Sequence, residues 1–193
     1  MKKTTFITAA VFVAFSLAFK SAEPTSWSVD KAHAKVGFTV THLMVSDVEG
    51  WFKTFDAKIT APNEDFSNAE VVMTADINSI NTEEEKRDAH LKTADFFDSE
   101  KFPTLSFKST SFKKINGNNY KVTGNLTMHG ITKIVELNAS CKVGSNPMNK
   151  KEVAGFKISG VIKRLDFGIG ASMPSSVVGE DVSIIANMEF IKK

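Results

Sequence analysis

Apolar and polar side chains alternate with a period of two along most of this chain of 193 residues. Val36, Phe38 and Val40, for example, are separated by small or polar residues. Successive side chains of a β-strand point to opposite faces, so this pattern predicts strands with one buried and one solvated face. Strands of that kind are typical of antiparallel sheets, so the alternation favours an all-β chain.

Eight segments of the chain are candidate strands. They are residues 35–42, 48–61, 69–80, 104–114, 119–129, 131–143, 154–164 and 182–192. The sequences Asn116-Gly117-Asn118-Asn119 and His129-Gly130 predict tight turns, because Gly and Asn tolerate positive φ. Closing a sheet into a barrel removes its exposed edges. We therefore predict an all-β fold with one short helix, an eight-stranded antiparallel barrel.

The predicted helix interrupts the alternation. Thr82 followed three residues later by Glu85 fits a capping box, which predicts a helix over residues 83–93. The acidic first turn and Lys92 in the last turn suit the helix dipole. At this spacing Asp88 can form an ion pair with Lys92.

The first 22 residues have the pattern of a secretory signal peptide. Two lysines precede the apolar run at 6–19, which is too short for a comfortable membrane span. Cleavage after Ala18 or after Ala22 fits the small residues there and leaves 23–193 as a single barrel domain. We therefore predict a periplasmic or secreted protein with no transmembrane anchor after cleavage. An uncleaved anchor and a buried core helix are the alternatives.

The formal net charge of +2 belongs mostly to this leader. Removal of residues 1–22 takes away three lysines and no acidic residue, which leaves 21 cationic against 22 anionic side chains. Cleavage after Ala18 gives a neutral chain. Electrostatic binding of nucleic acid needs clustered cations, so we predict no nucleic-acid partner.

Motifs for catalysis and metal binding do not stand out in the sequence. His33 and His42 are the closest pair of histidines, but an extended strand would hold them far apart, so we predict no metal site. Cys141, the single cysteine, lies in an alternating segment and is predicted to be a buried, inert thiol. Nucleophile, zinc-protease and phosphate-loop motifs do not occur. We predict no catalytic residue and no cofactor.

The interior of an eight-stranded barrel is either filled by side chains or holds one small ligand. A cavity in this chain would be apolar and would stabilise a long apolar ligand by about 25 cal/mol per Å² of buried surface. A packed core is the alternative. The candidate lining residues are Val36, Phe38, Val40, Val71, Met73, Ile77, Leu105, Phe107, Val122, Leu126, Phe156, Ile158, Ile184 and Met188.

The densest polar group beside apolar sequence lies on the predicted helix. It suggests a polar rim that meets the head group of a lipid whose tail enters the barrel. A solvated helix face and a structural ion pair between Arg164 and Asp166 are the alternatives. The candidate rim residues are Arg87, His90, Lys92, Arg164 and Asp166.

Several segments, taken together and in order, resemble the YceI family of lipocalin-like, polyisoprenoid-binding proteins, from about Trp27 to Ile191. They are Trp27-Ser28-Val29-Asp30, Gly50-Trp51-Phe52, Arg87-Asp88-Ala89-His90-Leu91-Lys92, Phe102-Pro103, Gly124-Asn125-Leu126-Thr127-Met128-His129-Gly130 and Arg164-Leu165-Asp166-Phe167-Gly168. The resemblance implies a lipocalin-like barrel around an apolar tunnel. It also implies an exported protein that binds long isoprenoid or related lipids without catalysis.

We therefore predict an exported protein that holds a polyprenyl or quinone-like lipid in its barrel for transport, storage or sequestration. One alternative is a lipid-modifying enzyme that uses Arg87, Asp88 or His90. Another is a ligand-free stress-response or interaction module that acts through its outer surface. A monomer and a homodimer are both compatible with the sequence.

Overall fold

The computed structural model describes residues 23–193, so the predicted signal peptide at 1–22 lies outside the described residues. One short helix, α1, spans Glu85–Lys92. Two 3₁₀ turns span Ile77–Ser79 and Arg164–Phe167. The strand segments within 23–193 are β1 Thr25–His42, β2 Ser46–Phe52, β3 Phe55–Ala61, β4 Glu70–Asp76, β5 Ile80–Asn81, β6 Thr104–Asn116, β7 Asn119–Met128, β8 Ile131–Ser145, β9 Glu152–Lys163 and β10 Val178–Lys192.

These segments form one closed antiparallel barrel with eight strand paths. The two halves of β1 pair with β2 and β3, which makes β2 and β3 one interrupted path. β4 and β5 continue each other in the same way along β3 and β2. β10 then pairs with β1 and closes the sheet. The predicted eight-stranded antiparallel barrel is confirmed.

The alternation in the sequence becomes the inside and outside of the barrel wall. Along β7, Tyr120, Val122, Leu126 and Met128 are buried. The turn after them has positive φ at both His129 and Gly130, 51° and 72°, as a two-residue hairpin turn requires. Glycine adopts a positive φ without steric strain, which explains why Gly130 occupies the second position of this turn.

The predicted start of the helix is wrong by two residues. The N-cap is Glu84, whose carboxylate accepts the backbone N–H groups of Lys86 and Arg87. Thr82 does not cap the helix, because its hydroxyl donates to the Asp88 carboxylate at 2.6 Å and Glu83 adopts a positive φ of 65°. The Asp88 carboxylate therefore accepts a hydrogen bond from Thr82, and the predicted ion pair between Asp88 and Lys92 does not form.

One end of the barrel is closed by aromatic side chains. The Phe66 ring lies 5.2 Å from Trp27 and 5.1 Å from Phe156, centroid to centroid, and Phe156 lies 5.8 Å from Phe190. Phe66 comes from the loop between β3 and β4 and is almost completely buried. We call this the aromatic end. The opposite end, which we call the helix end, is covered by α1 and by the segments 93–103 and 164–177.

None of the helices in residues 23–193 is long and apolar enough to span a membrane.

Candidate functional site: an apolar cavity in the barrel

A narrow cavity runs through the interior of the barrel. About 1430 Å³ of this region is not occupied by protein atoms, including its opening to solvent. Every strand path contributes to the lining, and nearly all lining side chains are aliphatic or aromatic. Among the lining residues in 23–193, Arg164 is the only charged one. This apolar surface suits an apolar ligand.

The predicted lining residues face this cavity with one exception. Val36, Phe38, Val40, Val71, Met73, Leu105, Phe107, Val122, Leu126, Phe156, Ile158, Ile184 and Met188 all line it. Ile77 does not, and the prediction for Ile77 is wrong. The strand breaks after Asp76 into a 3₁₀ turn, where the period of two no longer applies. Ile77 is buried there instead, with its N–H donating to the Pro103 carbonyl.

Other lining residues were not among the predicted set. Phe96 and Phe97 follow α1 and reach the cavity from the helix end, together with Leu91. A pair of Phe residues in a polar segment is the sequence signal for this role. The remaining additions alternate on the strands or lie near their ends: Gly37, Phe52, Ile59, Phe112, Met128, Val135, Leu137, Ala139, Ile162, Ile169, Val178, Val182, Ala186 and Phe190.

Arg164 closes the helix end and does not form a polar rim. It is 3% exposed, and all five of its N–H donors are used by backbone carbonyls within the barrel. Nε donates to Gly179 at 3.0 Å, Nη1 to Ile169 at 3.0 Å and to Gly170, and Nη2 to Met173 at 2.8 Å and Val178 at 2.9 Å. Burial lowers the pKa of Arg164, while Glu180 opposes this shift. The guanidinium is therefore committed to the fold, and the alternative of a pair with Asp166 is also wrong.

Arg87 and Asp88 fasten the start of α1 to the chain before it. Asp88 accepts the N–H of Thr82 at 2.8 Å as well as its hydroxyl. Arg87 donates from Nε to the Thr82 hydroxyl at 2.8 Å and from Nη2 to the Thr82 carbonyl at 2.7 Å. These four bonds fasten the first turns of the helix to Thr82.

The other predicted rim residues lie on the outer side of the helix end. His90 is exposed, pairs with Asp95 at 3.1 Å and meets the Phe96 ring edge to face at 5.0 Å. Lys92 is half-buried beside a shallow outer groove, and Asp166 is exposed. His90 thus has other partners than Arg87 and Asp88, and the three side chains do not share a hydrogen-bond network.

Cys141 is buried on β8, as predicted. Desolvation raises the pKa of its thiol to about 11, although Lys114 opposes the shift. The thiolate is the reactive form of cysteine, so this side chain is inert near neutral pH.

The sequence and the fold match known proteins. A family model described as the YceI-like domain matches residues 27–190. The chain belongs to the YceI-like family. This YceI-like protein is 37% identical over 174 residues to a UPF0312 protein of Staphylococcus aureus, covering 86% of this chain and 97% of the relative. It is 38% identical over 177 residues to Protein YceI of Salmonella newport, covering 90% of each.

Solved structures share the barrel of this YceI-like protein. BcnA of Burkholderia cenocepacia has a TM-score of 0.74 at 27% identity, covering 83% of this chain and 98% of BcnA. The YceI protein of Campylobacter jejuni has a TM-score of 0.73 at 35% identity, covering 85% and 96%. A polyisoprenoid-binding domain of Saccharophagus degradans has a TM-score of 0.61 at 15% identity, covering 86% and 98%, which is a likeness in fold.

Proposed function

We propose that this protein binds one long, uncharged lipid chain of the isoprenoid type inside the barrel. The observation that carries the proposal is the cavity that is lined from the aromatic end to the helix end by side chains that are apolar except for Arg164. An apolar chain placed there leaves no polar group unpaired, because all five N–H donors of Arg164 already have partners. The polyisoprenoid-binding domain with the same fold supports this ligand class.

The proposed role is that of a binding protein for transport, storage or sequestration, and not of an enzyme. Arg87 and Asp88 are held by Thr82, whereas His90 pairs with Asp95. We also propose that the protein acts in the periplasm or outside the cell, on the basis of the leader-like sequence at 1–22. N-terminal sequencing of the protein from its host, after fractionation of the cells, tests this part.

Native mass spectrometry of the protein purified from its own host tests the ligand. We expect a protein with one bound lipid, and a delipidated sample that takes up a polyprenol of defined chain length with a stoichiometry of one. Only empty protein together with no uptake of polyprenol would contradict the proposal.

Two variants on β9 separate the cavity from the outer surface. Ile158 lines the cavity, and Val161 on the same strand is 60% exposed on the outside. Ile158→Phe should reduce polyprenol uptake at least fivefold, because the larger side chain occupies space that the lipid needs. Val161→Phe should leave uptake unchanged. Equal uptake by both variants would place the lipid outside the cavity.

A further inference from the structure

Two carboxylates face each other where the barrel closes. Asp30 on β1 is the direct cross-strand partner of Glu189 on β10. The neighbouring pair, Val29 and Phe190, includes the inward-facing Phe190, so Asp30 and Glu189 lie on the outer face. Like charges directly opposite each other destabilise a strand pair.

A bulge in β1 brings a histidine to this pair. The register steps from Asp30 opposite Glu189 to Ala34 opposite Met188, so residues 31–33 have no partner on β10. His33 lies in this bulge with Nδ1 2.9 Å from the Asp30 carboxylate. The hydrogen bond that the His33 ring donates to Asp30 raises the pKa of His33, and the charges of Asp30 and Glu189 add to the shift.

The three side chains offer a convergent set of ligand atoms. One atom each from Asp30, His33 and Glu189 lies within 4.8 Å of the other two. Zn²⁺ binds imidazole nitrogen and carboxylate oxygen at about 2.0–2.2 Å, and three protein ligands leave a fourth position for water. The exposed His33 ring leaves the site accessible.

We propose that Asp30, His33 and Glu189 form a binding site for one Zn²⁺ ion on the outer face of the barrel. The imidazole favours Zn²⁺ over Ca²⁺, which takes six to eight oxygen ligands. The site is separate from the cavity and independent of the proposed lipid binding. The spacing of the histidines along the sequence gives no sign of this site, because Glu189 comes near His33 only through the closure of the barrel.

Zinc at this site would link the first and the last strand of the barrel. An ion that binds only the folded state stabilises it, so the thermal midpoint should rise with the Zn²⁺ concentration. Calorimetric titration of the EDTA-treated protein with ZnCl₂ at pH 7.5 should give one ion per chain. Ca²⁺ at the same concentration should leave the midpoint unchanged.

Three variants test the site. His33→Gln and Glu189→Gln should each weaken Zn²⁺ binding at least tenfold, whereas His42→Gln, an exposed histidine at the far end of β1, should bind as the wild type does. Glu189→Gln also relieves the repulsion with Asp30, so we expect it to fold. Polyprenol uptake should be unchanged in all three, which separates this test from that of the lipid. Absence of saturable Zn²⁺ binding, or wild-type affinity in His33→Gln and Glu189→Gln, overturns the proposal.

Discussion

Phe38 lies over Gly50, its direct partner on the neighbouring strand, and a β-carbon on Gly50 would overlap the Phe38 ring. Phe107 also lies over a glycine, Gly124, although its direct partner on β7 is Leu126, and its ring would lie 2.5 Å from a β-carbon added to Gly124. Both rings line the cavity. The two glycines therefore give the rings room beside the barrel wall, and this room keeps the interior open.

Gly50→Ala should push the Phe38 ring into the cavity. Overpacking of this kind costs about 1–3 kcal/mol of stability, and the displaced ring should also lower polyprenol uptake. Urea unfolding and uptake measurements check the two effects. The double variant Gly50→Ala/Phe38→Leu should recover uptake. A single variant with wild-type stability and uptake would show that the ring does not depend on this glycine.

Arg164→Lys should destabilise the protein although it keeps the positive charge. Lysine offers three N–H donors, so at least two of the five carbonyls now bound by Arg164 lose their partner. At roughly 1.5–3 kcal/mol for each hydrogen bond to a charged group, we expect a loss of about 3 kcal/mol or more in urea unfolding. Arg87 makes only two side-chain hydrogen bonds, so Arg87→Lys should lower the free energy of unfolding by less. An Arg164→Lys protein as stable as the wild type would contradict the assigned role.

Asp65 should make the aromatic end sensitive to acid. The hydroxyl and N–H of Ser67, followed by Lys114, lower the pKa of Asp65 to about 2 from an ordinary value of 3.8. Because the folded pKa is the lower one, the resulting stability is present above pH 4 and is lost as the pH falls toward 2. Asp65→Asn should lose less stability than the wild type between pH 4 and pH 2 in thermal unfolding. Asp56→Asn, in an exposed position on β3, serves as the control and should follow the wild type.

Cys141 should resist alkylation while the protein is folded. Its thiol is buried and its pKa is raised to about 11, so iodoacetamide at pH 8 should leave it unmodified until urea unfolds the chain. Mass spectrometry measures the modification. In a Cys141→Ser background, Val143→Cys places a thiol at an exposed position of the same strand and should react at once. Rapid modification of native Cys141 would show that β8 opens readily.

The alternation was sufficient to predict the eight strand paths, because one face of each path meets the apolar interior. It could not show that a 3₁₀ turn moves Ile77 out of the cavity lining. The role of Arg164 could not be predicted either. Its partners are backbone carbonyls of residues 169–179, and every residue type has such a carbonyl. Likewise, His33 and Glu189 are close in space only because β1 pairs with β10, and no spacing along the chain indicates this contact.

The pairing of β1 with β10 also sets the order of events in folding. These two strands are separated in sequence by every other strand of the barrel, and the N–H of Lys193, just after β10, donates to the Ser26 carbonyl on β1. Contacts between segments so distant in sequence form slowly. The barrel therefore stays open until β10 has paired with β1, and a chain that lacks β10 exposes two unpaired strand edges to other chains.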